Sequence, residues 1–316
     1  MIVRNPPVEL SAGLWMLGTN EYPLYLFQDE ADAILFEGGT GAMGPVLAGQ
    51  IATLGIDRGA VRQIVVTHAH PDHVMALPML RELFGSAGVA ASSVAAATLS
   101  SDKALAFFRK VDEALTASLL KMEAIKESHR PTASAERITV DRVIGEGETL
   151  VVGRATFNVL ATPGHSDCSL SFHAPARGIL VISDATGYYM PDRKLWWPNY
   201  FSGYGAYVES MRRLSALSAE VLCLSHNAAV TGAADVAACF RGAIAATEAY
   251  HGRIVAEARA GKDSRQIAEA LGAEIYEKVN LLPLDFFQKN CGLLVKQSLA
   301  HEGLGADRQA ARPGEK

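Results

Sequence analysis

The run HAHPDH at residues 68–73 constrains the fold of this chain more than any other part of the sequence. It directly follows an apolar run that reads as a buried strand. His68 and His70 point to the same side of an extended segment, because side chains alternate there, whereas Asp72 and His73 begin the next turn. A histidine-rich surface loop is the alternative, and the buried strand before the run argues against it. The geometry therefore suits a site for two metal ions.

Three further candidate ligands stand where a predicted strand ends, namely His165, Asp184 and His226. Taken alone, each has an ordinary explanation as a loop residue held by hydrogen bonds, a turn former or a helix cap. The first cluster needs partners, however, and these three residues share its position after a strand. We therefore expect them to complete the same site.

Hydrophobic periodicity predicts a layered α/β fold. Strands are expected at 13–17, 23–27, 33–36, 63–67, 138–144, 157–161, 169–172, 179–183 and 221–225. A helix at 43–54 between two of these strands makes a β-α-β crossover, which requires a sheet covered by helices.

Further helices are predicted at 100–128, where a proline at position 131 is expected to end the helix, and at 206–217, 233–260, 264–271 and 284–300. This pattern divides the chain into a sandwich core over residues 1–231, a C-terminal helical annex over 232–301 that packs on the core, and a flexible tail over 302–316.

The order of the candidate ligands resembles that of the metallo-β-lactamase superfamily. Its H-x-H-x-D-H signature is matched at residues 68–73, and the three later ligands follow in the family's order. The resemblance implies an αββα sandwich and a two-metal site. The first metal would be held by His68, His70 and His165, the second by Asp72, His73 and His226, with Asp184 bridging both.

A closer resemblance is to the PqsE-like thioesterase group. It rests on Phe36–Gly39, on Gly164–Asp167, on 206–214 and on the helical C-terminal region. Serine stands at positions 183 and 225, where glycine commonly precedes the ligand. In this interpretation Glu37 is the hydrogen-bond partner of a ligand histidine and not the catalytic base.

The expected chemistry is hydrolysis by a hydroxide held between two metals. Two metals roughly 3.5–4 Å apart lower the pKa of a shared water towards about 7 and polarise the substrate oxygen. Asp72 is then primarily a ligand and a candidate proton acceptor. Nitrogen and oxygen ligands without cysteine suit zinc or iron, with manganese as a third option. A redox role for di-iron would need a flavin partner, and the chain shows no second nucleotide-binding domain.

Aromatic residues after the Asp184 strand predict an apolar substrate wall. Tyr188, Trp196 and Trp197 would overhang the metals, and Phe286 of the annex could cap the same mouth. Pinning of the loop to the core, or a dimer contact, is the alternative. The leading function is hydrolysis of a thioester or ester of a small, acyl-CoA-like molecule. Lactone or phosphodiester hydrolysis, and a regulatory or interaction role on a hydrolase scaffold, remain open.

Composition limits the partners. Lysine and arginine total 29 against 34 aspartate and glutamate, and the net charge of −5 argues against nucleic acid. Neither a signal peptide nor the roughly 18 consecutive apolar residues of a membrane span is visible, so we expect a cytoplasmic protein. The four scattered cysteines predict reduced thiols. Homo-oligomerisation remains open.

Overall fold

The computed structural model describes residues 1–85, 87–131, 137–279 and 281–304. Within them the strands, numbered in chain order, are β1 (Ile2–Val3), β2 (Val8–Ser11), β3 (Leu14–Gly18), β4 (Pro23–Asp29), β5 (Asp32–Phe36), β6 (Val61–Val65), β7 (Gly88–Ala91), β8 (Arg142–Val143), β9 (Thr149–Val152), β10 (Ala155–Ala161), β11 (Leu170–Ala174), β12 (Ile179–Ser183), β13 (Tyr188–Met190), β14 (Leu195–Trp197), β15 (Val221–Leu224) and β16 (Ala229–Thr231). The α-helices are α1 (Met43–Leu54), α2 (Leu77–Phe84), α3 (Ser93–Leu99), α4 (Asp102–Lys121), α5 (Tyr204–Ser215), α6 (Ala233–Arg259), α7 (Ser264–Tyr276) and α8 (Leu284–His301).

The strands form two seven-stranded sheets and one hairpin. The N-terminal sheet has the order β2-β3-β4-β5-β6-β7-β8, the second sheet has the order β1-β16-β15-β12-β11-β10-β9, and β13 pairs with β14. Each sheet combines an antiparallel part with parallel neighbours, which are β5 to β8 in the first sheet and β12 with β15 in the second. With helices on both outer faces, this is the predicted αββα sandwich.

The two sheets pack face to face through an apolar layer. Its centre holds Phe27, Phe36, Phe157 and Phe172, whose neighbouring rings lie 5.1–5.2 Å apart. Because successive strand side chains point to opposite faces, the intervening residues of the N-terminal sheet face the covering helices instead. Central strands such as β4 are therefore buried on both faces.

Helices cover both outer faces and build a second core at the C-terminus. Helices α1 to α4 cover the N-terminal sheet, and α5 and α6 cover the other. The far part of α6 joins α7, α8 and the β13–β14 hairpin in a separate apolar cluster. No helix in the described part of the chain is long and apolar enough to cross a membrane.

Two predicted elements differ from the structure. Helix α4 ends at Lys121, well before the proline at position 131 that was expected to end it, because Glu123 adopts a positive φ of 57°. Of the predicted strand at 138–144, only Arg142–Val143 is a strand. The side chain of Asp141 accepts the Val89 N–H at 2.7 Å, so this N–H is not available to a strand partner.

Several short strands were not predicted, namely β1, β2, β7, β9, β16 and the β13–β14 hairpin. They have two to four residues each, which is too short for a period of two to stand out. The predicted tail lies outside the described residues from position 305 onwards, whereas Glu302 pairs with Arg259 at 2.7 Å.

Candidate metal centre

The candidate ligands meet at one edge of the sandwich because of the strand directions. Parallel strands β5 and β6 place Glu37 and the 68–73 run at their carboxyl ends. Parallel strands β12 and β15 of the other sheet do the same for Asp184 and His226. His165 follows β10, which runs in the same direction as β12 since both are antiparallel to β11.

The first group of ligand atoms comes from three histidines. His68 Nε2, His70 Nδ1 and His165 Nε2 lie 3.0–3.1 Å from one another. Their ligand atoms and one from Asp184 all lie within 4.8 Å of one another. His68 and His165 are buried, whereas His70 is half-buried and faces a cavity described below.

The second group lies beside the first. Asp72 Oδ2 is 3.5 Å from His73 Nε2 and 3.6 Å from His226 Nε2. Both histidines are buried, and the Asp72 side chain is 22% exposed. Asp72 is therefore the most exposed member of this group.

Asp184 lies between the two groups. Its Oδ2 is 3.3 Å from His165 Nε2, 3.5 Å from His68 Nε2 and 3.3 Å from His73 Nε2. Its Oδ1 is 3.3 Å from His226 Nε2. One carboxylate thus touches histidines of both groups.

The outer nitrogen of each deeply placed histidine has its own hydrogen-bond partner. His73 Nδ1 is 2.8 Å from Glu37 Oε2, His165 Nδ1 is 2.8 Å from the Asn199 carbonyl, and His226 Nδ1 is 2.8 Å from the Glu21 carbonyl. Each partner is an acceptor, so Nδ1 carries the proton. The Nε2 atom of each of these rings therefore faces the shared space.

A buried hydroxyl network supports the remaining ligands. Thr67 Oγ1 donates to Glu37 at 3.0 Å. His68 Nδ1 lies 3.2 Å from Thr67 Oγ1 and 3.3 Å from Ser183 Oγ, so the two hydroxyls hold this ring in place. Ser225 Oγ donates to Asp184 Oδ1. The two serines that stand in place of glycine thus both contact the site.

The electrostatics leave the first group of histidines neutral. Burial lowers the pKa of all three, and that of His70 falls to about 3. Burial alone would also lower the pKa of His73, but the carboxylates of Asp72 and Glu37 outweigh it and raise the pKa well above its usual range. The carboxylates and imidazoles therefore compensate one another's charge in a buried space.

These residues fit divalent metal ions. Nitrogen atoms about 3 Å apart are close to the edges of a tetrahedron with metal–nitrogen bonds of about 2.0–2.1 Å. His73 Nε2 is buried without a hydrogen-bond partner, although two carboxylate oxygens lie 3.3 and 3.5 Å away. A cation accepts the lone pairs that otherwise face one another here.

A cavity of 240 Å³ opens above the ligand cluster. Its floor contains His70, Asp72, His165, Asp184 and His226. Its walls are mainly apolar and come from α4, from the hairpin and the loop after it, from the segment before α8, and from α8 itself. No lysine or arginine occurs among the described residues that line it.

Of the four predicted pocket residues, three line this cavity and one does not. Tyr188 and Trp197 are paired across the hairpin and face the cavity, as does Phe286. Trp196 was predicted to do so as well, and this prediction is wrong. Its ring stacks on Tyr189 at 4.5 Å and packs on the α6 backbone at the glycine of position 242, because neighbouring strand residues point to opposite faces.

Other contributors to the site were missed. The Asn199 and Glu21 carbonyls have no side-chain signal. Tyr22, which packs edge-on against His226 at 5.5 Å, precedes a strand far away in sequence. The period-two rule applied to the two adjacent tryptophans could have shown that only one faces the cavity.

The sequence matches the family described as the Metallo-beta-lactamase superfamily over residues 23–226, which is more than half of the chain. The match begins at β4 and ends at the last candidate ligand. The annex lies beyond it.

Solved structures of this family share the fold. A metallo-beta-lactamase family protein of Thermus thermophilus superimposes with a TM-score of 0.63 at 22% identity, covering 93% of this chain and 95% of its own. MIM-1 of Novosphingobium pentaromativorans gives 0.58 at 21% identity, with 82% and 93% covered. BJP-1, a subclass B3 metallo-beta-lactamase of Bradyrhizobium japonicum, gives 0.57 at 18% identity, with 82% and 97% covered. These identities show the fold alone.

Proposed function

Because the chain belongs to the metallo-β-lactamase superfamily, we propose that it is a metal-dependent hydrolase that acts on the carbonyl group of a thioester or ester. The observation that carries the proposal is the convergence of five imidazoles and two carboxylates at the floor of an apolar cavity. Such a floor serves hydrolysis of an uncharged carbonyl substrate better than it serves storage of a metal, since the cavity leads directly to it.

The ligand assignment follows the geometry. His68, His70 and His165 would hold one divalent ion, and the second group (Asp72, His73 and His226) would hold another, with Asp184 between them. We propose zinc or iron, since the ligand atoms are nitrogen and oxygen. When bound, such ions supply Lewis acidity, which polarises a carbonyl group and acidifies water.

Residues of the chain hold the candidate ligand histidines in position and provide a group for proton transfer. The carbonyl and carboxylate acceptors behind His73, His165 and His226 fix each imidazole in one tautomer and one orientation. Asp72 faces the cavity and is the carboxylate best placed to take a proton from water during attack and to return it to the leaving group.

Phosphodiesters are the less favoured substrates. A phosphodiester carries a negative charge, and away from the metal ions the described lining of the cavity is mainly apolar and offers it no lysine or arginine. Lactones share the neutral carbonyl and differ in having the leaving group in the same molecule. The resemblance to PqsE-like thioesterases favours the thioester among these options.

A substrate panel tests the proposal. We expect metal-loaded protein to hydrolyse an octanoyl thioester and an octanoyl ester faster than a neutral lactone, and to leave a phosphodiester intact. The His68→Ala variant should lose both metal and turnover on every substrate. Turnover of the phosphodiester alone, or equal turnover by His68→Ala, would contradict the proposal.

A further inference from the structure

We propose that the 240 Å³ cavity is an acyl chamber, built to hold an uncharged, apolar acyl group of about eight non-hydrogen atoms while the leaving group stays outside. The carbonyl at the end of that group would lie at the ligand cluster. The assignment of an acyl group rests on the proposed function, whereas the size and charge selectivity rest on the cavity itself.

The size follows from the volume. An apolar cavity of about 150 Å³ binds benzene, which has six non-hydrogen atoms, so by the same ratio 240 Å³ holds roughly eight to ten. Unbranched acyl groups of six to eight carbons and a benzoyl group fit this volume, whereas a dodecanoyl group exceeds it.

The polarity of the walls sets the charge preference. Helix α4 contributes Phe107, Val111 and Leu115 at successive turns of one face. Phe107 is 58% exposed and stands at the rim, whereas Leu115 is 3% exposed and lies deep. The charged side chains in the described lining are the carboxylates and imidazoles of the floor. An anionic group on the acyl chain would therefore be desolvated without a counter-charge.

The opposite wall comes from the annex and is tied to α4. Leu281 lines the chamber, and its carbonyl accepts a hydrogen bond from Ser118 of α4. A second tie joins α8 to the loop that holds His165, since Gln297 Nε2 donates to the Phe201 carbonyl at 2.9 Å. The walls are thus held in place by hydrogen bonds without a ligand, which reduces the cost of ordering them on binding.

Binding can be measured apart from turnover with carboxamides, whose bond resists hydrolysis. We expect calorimetric affinity for the metal-loaded protein to rise about three- to fourfold per methylene up to octanamide and to fall by dodecanamide. The ω-carboxylate analogue of octanamide should bind at least a hundredfold more weakly. Affinity that is independent of chain length, or equal binding of the ω-carboxylate, would overturn the proposal.

Two substitutions on α4 provide a matched pair. Val111→Phe adds volume inside the chamber and should move the best chain length to about five carbons, whereas Ala117→Phe on the exposed face of the same helix should leave it at eight. An unchanged optimum in Val111→Phe would overturn the proposal. If Val111→Phe fails to fold, Leu293→Arg provides the second test. Leu293 is 38% exposed at the rim of the chamber, and an arginine there should recover binding of the ω-carboxylate.

The hydrolysis assay keeps the two proposals distinguishable. Chain-length-dependent binding without turnover of any octanoyl ester or thioester would support the chamber and contradict the proposed reaction. Turnover with the same efficiency from acetyl to dodecanoyl would support the reaction and contradict the chamber. Comparing the octanoyl thioester of a neutral thiol with octanoyl-coenzyme A then shows whether a charged carrier outside the chamber adds affinity for the protein.

Discussion

The floor and the walls of the cavity are built on different principles. The floor consists of polar side chains at strand ends, and three of its histidines (His73, His165 and His226) are each fixed by a hydrogen bond to a carbonyl or carboxylate group. The walls consist of apolar side chains on helices and a hairpin, placed by packing. A floor of this kind tolerates almost no substitution, whereas the walls can change in size while the chemistry is kept.

The two regions also differ in their place in the chain. The floor lies entirely within residues 23–226, which match the family. Part of the wall comes from residue 279 and from residues between 281 and 293, beyond that match. We therefore expect reaction type and substrate size to depend on different residues, and substitutions in each region test this expectation.

The largest effect is expected at the floor. Asp184→Asn weakens the carboxylate that touches both groups of ligands, so we expect loss of bound metal and a fall in turnover of more than a thousandfold, about 4 kcal/mol of activation free energy. Metal analysis and kinetics measure this. Asp192→Asn, at an exposed carboxylate paired with Arg4 at the hairpin tip, is the control and should change neither. Full activity with two metals in Asp184→Asn would contradict the bridging role.

Next in size is the contrast between the adjacent tryptophans. Trp196→Ala and Trp197→Ala each remove a large ring, half-buried at Trp196 and buried at Trp197, and should each lower the free energy of unfolding by about 3 kcal/mol. Only Trp197→Ala should also raise KM for an octanoyl ester, by about tenfold, with metal content unchanged. The same KM in both variants would show that the hairpin supports the fold without contacting the substrate.

These tryptophans also show which parts of the fold and the candidate site could be predicted from the sequence. The convergence of the seven candidate ligands, the strand ends that carry them and the αββα layers were predictable, since they depend on local patterns and on one motif. A period of two shows that only one of the adjacent tryptophans faces the cavity, but which one does so depends on which distant elements pack against the hairpin. No periodicity in the sequence reports that packing.

The contact between Asp112 of α4 and the loop after β5 gives a smaller effect, on the pH dependence of stability. Asp112 of α4 accepts the Gly41 N–H at 2.7 Å, and burial raises its pKa to about 6. A carboxyl group whose folded pKa lies above its unfolded value contributes stability at low pH that is lost as pH rises through about 6.

Asp112→Asn removes this titration. We expect the variant to be more stable than the wild type at pH 7 by up to about 3 kcal/mol, and to lose that advantage near pH 4. Urea unfolding at both pH values measures it. A variant that is destabilised at pH 7 but not at pH 4 would mean that the ionised carboxylate of Asp112 stabilises the fold through its hydrogen bond with the Gly41 N–H.

The smallest effect is expected from a hydroxyl behind the floor. Ser225→Ala removes the donor to Asp184 Oδ1 without touching the ligand set. Metal affinity should fall by about tenfold, while turnover at saturating metal stays within a fewfold of the wild type. Competition with a chromogenic chelator gives the affinity. An unchanged affinity would mean that Asp184 is positioned by its histidine neighbours alone.

The central claim is that two metal ions on this floor perform the reaction. Its most direct test is to strip the protein with a chelator, return zinc or iron in steps, and measure bound metal per chain and hydrolysis of an octanoyl thioester in the same samples. Binding should saturate at two ions per chain, and hydrolysis should rise with occupancy to its full value at that point. Saturation at fewer than two ions, or hydrolysis that persists in the stripped protein, would contradict the claim.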